Sequence, residues 1–188
     1  MRPVMRACLV LLLAAGCAPA QSVSFGLKAG IPLTNLLAAA SPAYHAATSR
    51  YTFGPAVRIG LPHRVGVEAG VLYKRVEYGA GAASGSAGRW EIPLLIEYSL
   101  RQPVVRPFFG VGVSFNRVTG ATNAGLIELR HRSAIGVVAA AGLETHRGPL
   151  RIAPEIRVTR WGDRNFGVGD APLHSNLTQV ELLIGVRF

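Results

Sequence analysis

The sequence has few acidic residues, two cysteines and no long apolar run, and each scarcity limits what the chain can be. Ten Asp and Glu residues stand against 20 Lys and Arg, which gives a formal net charge of +10. No uninterrupted apolar run reaches the roughly 20 residues that a transmembrane helix needs, although 49% of the residues are hydrophobic. Membrane-spanning helices are therefore not predicted, and the hydrophobic residues must follow another pattern.

The first 20 residues have the pattern of a bacterial signal peptide. Arg2 and Arg6 make the N-terminus positive, an apolar stretch follows them, and small residues suit cleavage after Ala20. Because two arginines leave with this leader, the net charge of the mature chain would fall from +10 to +8.

Both cysteines, Cys8 and Cys17, lie inside the leader. If cleavage follows Ala20, the mature chain has no thiol, which excludes a disulfide, a cysteine-ligated metal and a cysteine nucleophile. An alternative takes the segment from Leu13 to Cys17 as a lipoprotein signal with Cys17 acylated, although the first position of that signal fits poorly.

From Ser22 onward, apolar residues alternate with small or polar ones, and this period of two predicts β-strands. Each repeating segment has about the 9–11 residues with which a tilted strand crosses a bilayer. The eight segments lie near 22–30, 51–61, 65–74, 90–99, 108–116, 134–144, 150–159 and 178–188.

The connections between these segments alternate in length. Long links fall at 31–50, 79–88, 119–132 and 162–175, and short turns fall near Pro62, Pro103 and Gly148. Long loops at one end and short turns at the other are typical of transmembrane barrels. The sequence therefore predicts an all-β fold, with residues 21–188 as one eight-stranded antiparallel up-and-down transmembrane β-barrel.

The two faces of the predicted strands differ in charge. One face is free of charged residues, and an Arg or Lys facing lipid at the bilayer midplane costs about 2–4 kcal/mol, so the charged face is predicted to point inward. Eight strands leave a lumen that side chains just fill, so we expect a structural polar core and no open pore. The predicted core comprises Arg58, Glu68, Glu91, Glu97, Arg106, Glu144, Arg151, Glu155, Arg157 and Glu181, with Lys28, Lys74 and Arg187 on the same face.

Hairpin geometry predicts which of these charges lie opposite each other. The expected pairs are Arg58 with Glu68, Glu97 with Arg106, and Glu144 with Arg151. The pattern fixes only the parity of each register, so a slip of two residues stays open.

Catalytic, metal and nucleic-acid sites are not indicated. His174, Ser175 and Glu181 are the residue types of a lipid-hydrolysing site, but side chains of adjacent strand residues diverge, whereas nucleophile and base must come within about 3 Å. No histidine pair has metal-ligand spacing, and the arginines are too scattered for a nucleic-acid face. We expect no cofactor and no enzymatic activity.

The last segment, from Val180 to Phe188, alternates and ends on an aromatic residue. With the leader, the eight segments and the stretch from Gly30 to Asn35, it makes residues 22–188 resemble the small outer-membrane β-barrel family of Gram-negative bacteria, which includes OmpA- and OmpX-type barrels. The resemblance implies an outer-membrane address, contact with outer-membrane lipids, and assembly by the barrel assembly machinery through Phe188.

Members of this family include adhesins, anchors and enzymes, so the resemblance implies no particular activity. We expect a monomeric barrel of structural or surface-interaction type, in which loops 31–50 and 119–132 are the place for an extracellular ligand. A membrane-embedded lipid-modifying enzyme and, after it, a soluble lipocalin-like ligand-binding barrel are the alternatives.

Overall fold

β-Strands make up most of the computed structural model, which describes residues 22–39, 44–80, 83–102, 104–121, 131–166 and 173–188. The strands in these ranges are β1 (Ser22–Pro32), β2 (Leu37–Ala39), β3 (Tyr44–Thr48), β4 (Thr52–Gly60), β5 (Val65–Gly70), β6 (Leu72–Ala80), β7 (Ala83–Ser99), β8 (Val105–Thr119), β9 (Ser133–Arg147), β10 (Leu150–Trp161), β11 (Leu173–Ser175) and β12 (Thr178–Arg187). Within the same ranges, no helix has the length and apolarity needed to span a membrane.

The longer strands close into an antiparallel ring in the order β1, β4, β5 with β6, β7, β8, β9, β10, β12 and back to β1. β5 and β6 are two halves of one barrel strand, separated at Val71, and both pair with β4 and β7. At the closure, the backbone N–H groups of Phe25 and Phe188 each donate to the other residue's carbonyl oxygen, at 3.2 and 3.0 Å. The predicted eight-stranded up-and-down barrel is confirmed.

The strands extend further at the loop end than the sequence predicts. The sequence predicts a loop at 79–88, but β6 runs to Ala80 and β7 begins at Ala83, so most of this link prolongs the hairpin. β3 pairs with the extended part of β6, while β2 and β11 form a separate two-stranded sheet. These segments are rich in Gly, Ala and Ser, whose small side chains give no hydrophobic alternation to detect.

Side chains on the barrel strands alternate between an exposed apolar face and a buried face. On the outer face, Leu27 is 65% exposed and Val137 is 66% exposed. On the inner face, Arg157 and Glu91 are 0% exposed. This is the orientation that the charge pattern predicts.

Aromatic side chains form two outward-facing belts. At the loop end, ring centroids of Tyr51 and Phe53 are 6.0 Å apart, those of Phe53 and Tyr73 are 6.0 Å apart, and those of Tyr73 and Trp90 are 4.9 Å apart. At the turn end, the exposed aromatic residues are Phe25, Tyr98, Phe109 and Phe188. Along β7 the segment from one belt to the other, Trp90 to Tyr98, contains nine residues, which suits the thickness of a bilayer.

Candidate functional site

The lumen holds twelve buried charged side chains among the described residues. The carboxylates are Glu68, Glu91, Glu97, Glu144, Glu155 and Glu181, and the cations are Lys28, Arg58, Lys74, Arg89, Arg157 and Arg187. Six formal positive charges therefore meet six negative ones, and the buried lumen is neutral as a whole. Eleven of these twelve side chains form ion pairs, and buried charges are tolerated when they are paired in this way.

The centre of the lumen is a five-residue ion-pair cluster. The Lys28 ammonium contacts Glu68 and lies 2.9 Å from a Glu155 carboxylate oxygen. Arg157 Nη2 lies 2.6 Å from Glu155 Oε1 and 3.2 Å from Glu68 Oε1, and Arg187 Nη1 lies 3.2 Å from Glu68 Oε2. Because these residues come from β1, β5, β10 and β12, the cluster connects strands across the barrel.

Above this cluster, toward the loop end, Lys74 joins two carboxylates. Its Nζ atom lies 2.8 Å from Glu91 Oε2 and 2.7 Å from Glu181 Oε1. The Thr52 hydroxyl donates to Glu181 at 2.9 Å, and the Ser114 hydroxyl donates to Glu91 at 3.0 Å. Each carboxylate thus accepts hydrogen bonds from both an ammonium and a hydroxyl group.

Below the centre, toward the turn end, two further ion pairs fill the lumen. Arg58 Nε donates to Glu97 Oε2 at 2.6 Å, and Arg58 Nη2 donates to the Ser99 hydroxyl at 3.3 Å. Arg187, which also contacts Glu68, forms an ion pair with Glu144.

Of the three cross-strand pairs of charges that the sequence predicts, one is present in the structure. Arg58 lies opposite Glu68, as predicted, although the ion pair of Arg58 is with Glu97. The predicted position of Glu97 opposite Arg106 is wrong, because Glu97 lies opposite Gly110. The β7–β8 turn is centred two residues further along the chain than predicted, and an even shift preserves which face each residue occupies.

The predicted position of Glu144 opposite Arg151 is also wrong. Glu144 lies opposite Arg106, and Arg151 lies opposite His146 and Arg187. The two-residue turn at Gly148 and Pro149 sets this register, and hydrophobic alternation alone does not locate the centre of a turn.

The ten residues predicted for the core occupy two environments. Eight are buried in the lumen: Arg58, Glu68, Glu91, Glu97, Glu144, Glu155, Arg157 and Glu181. Arg106 is exposed and Arg151 is half-buried, and both line the mouth of the lumen at the turn end. Both lie close to the turn-end limits of their strands, where the wall no longer encloses a long side chain.

Arg89 is a buried lumen residue that the sequence prediction omitted. It is 3% exposed, and its guanidinium lies 4.3 Å from the centroid of the Trp161 ring. Arg89 lies two residues before Glu91 and therefore shares its face of the strand, which would predict a position in the lumen. However, Arg89 precedes Trp90, where the sequence predicts that the strand begins.

Three lumen carboxylates come close enough together to raise the question of a metal. Oxygen atoms of Glu68, Glu97 and Glu155 lie within 4.8 Å of one another. Lys28 already contacts Glu68 and Glu155, and Arg58 contacts Glu97. A cation bound there would have to displace these side chains, so the geometry is that of an ion-pair network.

The loop end of the lumen is filled by an apolar cluster, which we call the loop-end plug. It consists of Leu36, Leu37, Val76, Tyr78, Ala87, Val118 and Phe166, all at most 3% exposed. The Thr48 hydroxyl accepts from the Leu36 N–H at 2.7 Å, and the Leu36 carbonyl accepts from the Asn176 N–H at 2.8 Å. The plug is thereby joined to β3 and to the segment after β11.

The residues of the hydrolase hypothesis have separate partners. The Ser175 hydroxyl is buried and accepts a hydrogen bond from the Phe166 N–H at 2.9 Å. Glu181 is bonded to Lys74 and Thr52. His174 is the neighbour of Ser175 on β11, so the two side chains point to opposite faces.

Comparisons with known proteins identify the fold. No protein-family model and no curated protein sequence matches the chain. Neisserial surface protein A (NspA) has a similar structure, with a TM-score of 0.57 and 16% identity over 89% of this chain and 97% of NspA. The N-terminal β-barrel domain of Pseudomonas aeruginosa OprF has a TM-score of 0.45 and 11% identity, over 88% of this chain and 97% of that domain. Yersinia pestis Ail, in complex with the heparin analogue sucrose octasulfate, has a TM-score of 0.47 and 12% identity, over 89% of this chain and 97% of Ail. The chain has the eight-stranded barrel fold of NspA, a small outer-membrane β-barrel.

Proposed function

We propose that this protein is an integral outer-membrane β-barrel of structural or surface-interaction type, closed to solutes, with its loop end on the cell surface. The observation that carries the proposal is the division between an apolar outer wall and a neutral, ion-paired lumen. An exposed apolar surface of this extent suits lipid rather than water. A soluble ligand-binding barrel needs the opposite arrangement, with an apolar lumen and a charged outer wall.

Charged residues on the outer wall support the same placement. Arg75, Arg117 and Arg160 are exposed and point outward on β6, β8 and β10 at the loop end. Arg75 follows the belt residue Tyr73 by two positions, and Arg117 follows Phe115, another exposed aromatic residue, by two positions. Arginines just beyond an aromatic belt can extend into the layer of anionic headgroups, so outer-membrane lipids are the proposed partners of this rim.

The role proposed for the lumen charges is structural. The ion pairs occupy the centre of the lumen and the loop-end plug fills one end of it. A planar-bilayer recording tests this: the purified barrel is expected to give no conductance steps of porin size under conditions in which a reference porin does. Such steps from the barrel would contradict the closed lumen.

Cysteine labelling on intact cells tests the proposed orientation. If the leader is removed after Ala20, the mature chain has no other thiol, so Ala47→Cys at the loop end and Gln102→Cys at the turn end each carry a single one. A membrane-impermeant maleimide is expected to label Ala47→Cys on intact cells and Gln102→Cys only after lysis. The reverse result would place the turns outside, and labelling of both variants only after lysis would show that the loop end is not on the cell surface.

Export and assembly have their own tests. Mass spectrometry of the purified protein is expected to give a chain starting at Gln21, whereas an acylated Cys17 would support the lipoprotein alternative.

Phe188 is 70% exposed on the outer face at the end of β12, which supports recognition by the assembly machinery. Phe188→Ala is expected to lower the amount of assembled barrel more than Phe109→Ala, a change in the same belt.

The proposed surface interaction concerns loops 31–50 and 119–132. Positions 40–43 and 122–130 of these loops lie outside the described residues. Shortening either loop in a strain that carries the protein is expected to reduce attachment to a host or cell surface without changing the amount of barrel in the outer membrane.

A further inference from the structure

A polar cavity of about 410 Å³ opens at the turn end of the lumen. We call it the turn-end vestibule. Its charged lining residues are five arginines and one carboxylate: Arg58, Arg64, Arg101, Arg106, Arg151 and Glu144. The Ser22 and Ser99 hydroxyl groups also line it.

The charges of the vestibule do not cancel as those of the lumen do. Arg58 is paired with Glu97, and Glu144 is paired with Arg187. Across the described ranges, Arg64, Arg101, Arg106 and Arg151 make no ion pair with a carboxylate. Four positive charges are therefore left around one opening.

The four arginines surround the mouth from two strands and two turns. Arg106 is the second residue of β8 and lies on the same face as the buried Phe108, and Arg151 is the second residue of β10 and lies on the same face as the buried Ala153. Arg64 lies in the turn before β5, and Arg101 lies in the turn after β7. An arginine that serves only to anchor the barrel in lipid belongs on the outer face, whereas Arg106 and Arg151 lie on the face toward the lumen.

From this arrangement we propose that the turn-end vestibule binds a phosphate-bearing anion that enters from solution along the lumen axis. Guanidinium groups match the geometry of phosphate oxygens and bind them with two hydrogen bonds at a time. The volume lies within the range of small-ligand sites. The inference goes beyond the proposed function and depends on it only for the compartment, which would be the periplasm.

Pyrophosphate binding to the refolded barrel in a maltoside detergent tests the site by calorimetry at fixed ionic strength. The wild type is expected to bind saturably, and the double variant Arg106→Gln with Arg151→Gln is expected to bind about tenfold more weakly or worse, because two charge-assisted contacts are lost. The matched control is Arg117→Gln with Arg132→Gln, two exposed arginines at the loop end, which removes the same charge and is expected to leave the affinity unchanged. Equal losses in the two double variants, or no saturable binding by the wild type, would overturn the proposal.

Two further measurements keep the result interpretable. Heat-modifiable gel mobility reports folding separately, and Arg101→Gln, in a turn outside the strands, provides a second variant if the double variant fails to fold. Repeating the titration in nanodiscs distinguishes the source of the phosphate group. Pyrophosphate binding that persists in phosphatidylglycerol discs supports a soluble ligand. If pyrophosphate binds in phosphatidylcholine discs but not in phosphatidylglycerol discs, lipid headgroups occupy the site, and the proposal of a ligand from solution is overturned.

Discussion

Among single residues, Glu68 has more ion-pair partners than any other carboxylate in the described part of the chain. It contacts Lys28, Arg157 and Arg187, which belong to β1, β10 and β12, while Glu68 itself is on β5. Removing one partner of a buried ion pair is costly because the charge left behind has neither water nor a counterion. Glu68 therefore acts as a junction that compensates cations from three other strands.

We expect Glu68→Gln to lower the free energy of unfolding by about 3–5 kcal/mol, since it leaves buried cations undercompensated. Urea-induced unfolding in detergent micelles measures the change. Glu77→Gln is the matched control, because Glu77 has 65% of its side chain exposed and lies 4.0 Å from Arg75; it is expected to change stability by less than about 0.5 kcal/mol. A cost for Glu68→Gln no larger than that of the control would contradict the structural role of the lumen network.

Among the elements, the interrupted strand formed by β5 and β6 shows how a glycine admits a close backbone approach. The Val71 N–H donates to the Pro55 carbonyl oxygen at 3.0 Å, where the strand breaks. Gly54 lies beside this break, and a Cβ atom added to it would overlap the Val71 carbonyl oxygen. A side chain at position 54 would push β4 away from the strand break.

Gly54→Ala is expected to destabilise the barrel by about 1–3 kcal/mol, the usual cost of overpacking. Gly70→Ala is the control in the same region, because its added Cβ would come no closer than 3.3 Å to the Pro55 oxygen, a distance that a small shift relieves. Thermal melting of both variants gives the comparison. If the two glycines tolerate alanine equally, β4 and the broken strand do not pack as closely as described.

The turn between β4 and β5 has a backbone that its sequence does not favour. His63 and Arg64 have φ angles of 61° and 66°, the left-handed region that two-residue hairpin turns require. Asn adopts this region more readily than His or a β-branched residue. His63→Asn is expected to stabilise the barrel by a few tenths of a kcal/mol up to about 1 kcal/mol, and His63→Val to destabilise it. Urea unfolding midpoints check the order, and the opposite order would be inconsistent with this turn.

At the scale of the whole molecule, the exposed apolar wall between the aromatic belts bears on whether the barrel is stable in water or in a lipid bilayer. Exposed apolar residues occupy the wall between the aromatic belts, and Val137 lies near the middle of it, in register with Val113 and, through Val113, with Leu94. A soluble barrel and a membrane barrel respond oppositely to a charge at this position, because water solvates the charge and hydrocarbon does not.

We expect Val137→Arg to destabilise the barrel in phospholipid bilayers by about 2–4 kcal/mol, the cost of an arginine near the midplane. Val104→Arg, at a position 72% exposed near the turn end, is expected to cost at most about 1 kcal/mol, because the headgroups are within reach. Reversible unfolding from vesicles measures both. Equal costs would show that the wall between the belts does not lie in the hydrocarbon.

The alternation of residues along the chain was sufficient to predict the strand number, the closed antiparallel barrel and the face on which each charge lies, because side chains of a strand necessarily point to opposite faces in turn. The resemblance to small outer-membrane barrels rests on that pattern, on the predicted signal peptide, on the segment from Val180 to Phe188 and on the stretch from Gly30 to Asn35. The environment of residues near strand ends, such as Arg89 and Arg106, is less predictable, because few alternating residues lie between them and the end of the strand.

The tertiary structure decided which charges meet. Arg58 pairs with Glu97 rather than with its cross-strand neighbour Glu68, because contacts across the lumen depend on how the ring closes and where each turn is centred. The loop-end plug and the turn-end vestibule likewise require distant segments to come together. No local sequence pattern connects Leu36 with Phe166 in the plug, or Arg64 with Arg151 in the vestibule. Parity is a property of each strand alone, whereas register, closure and the lining of a cavity are properties of the whole ring.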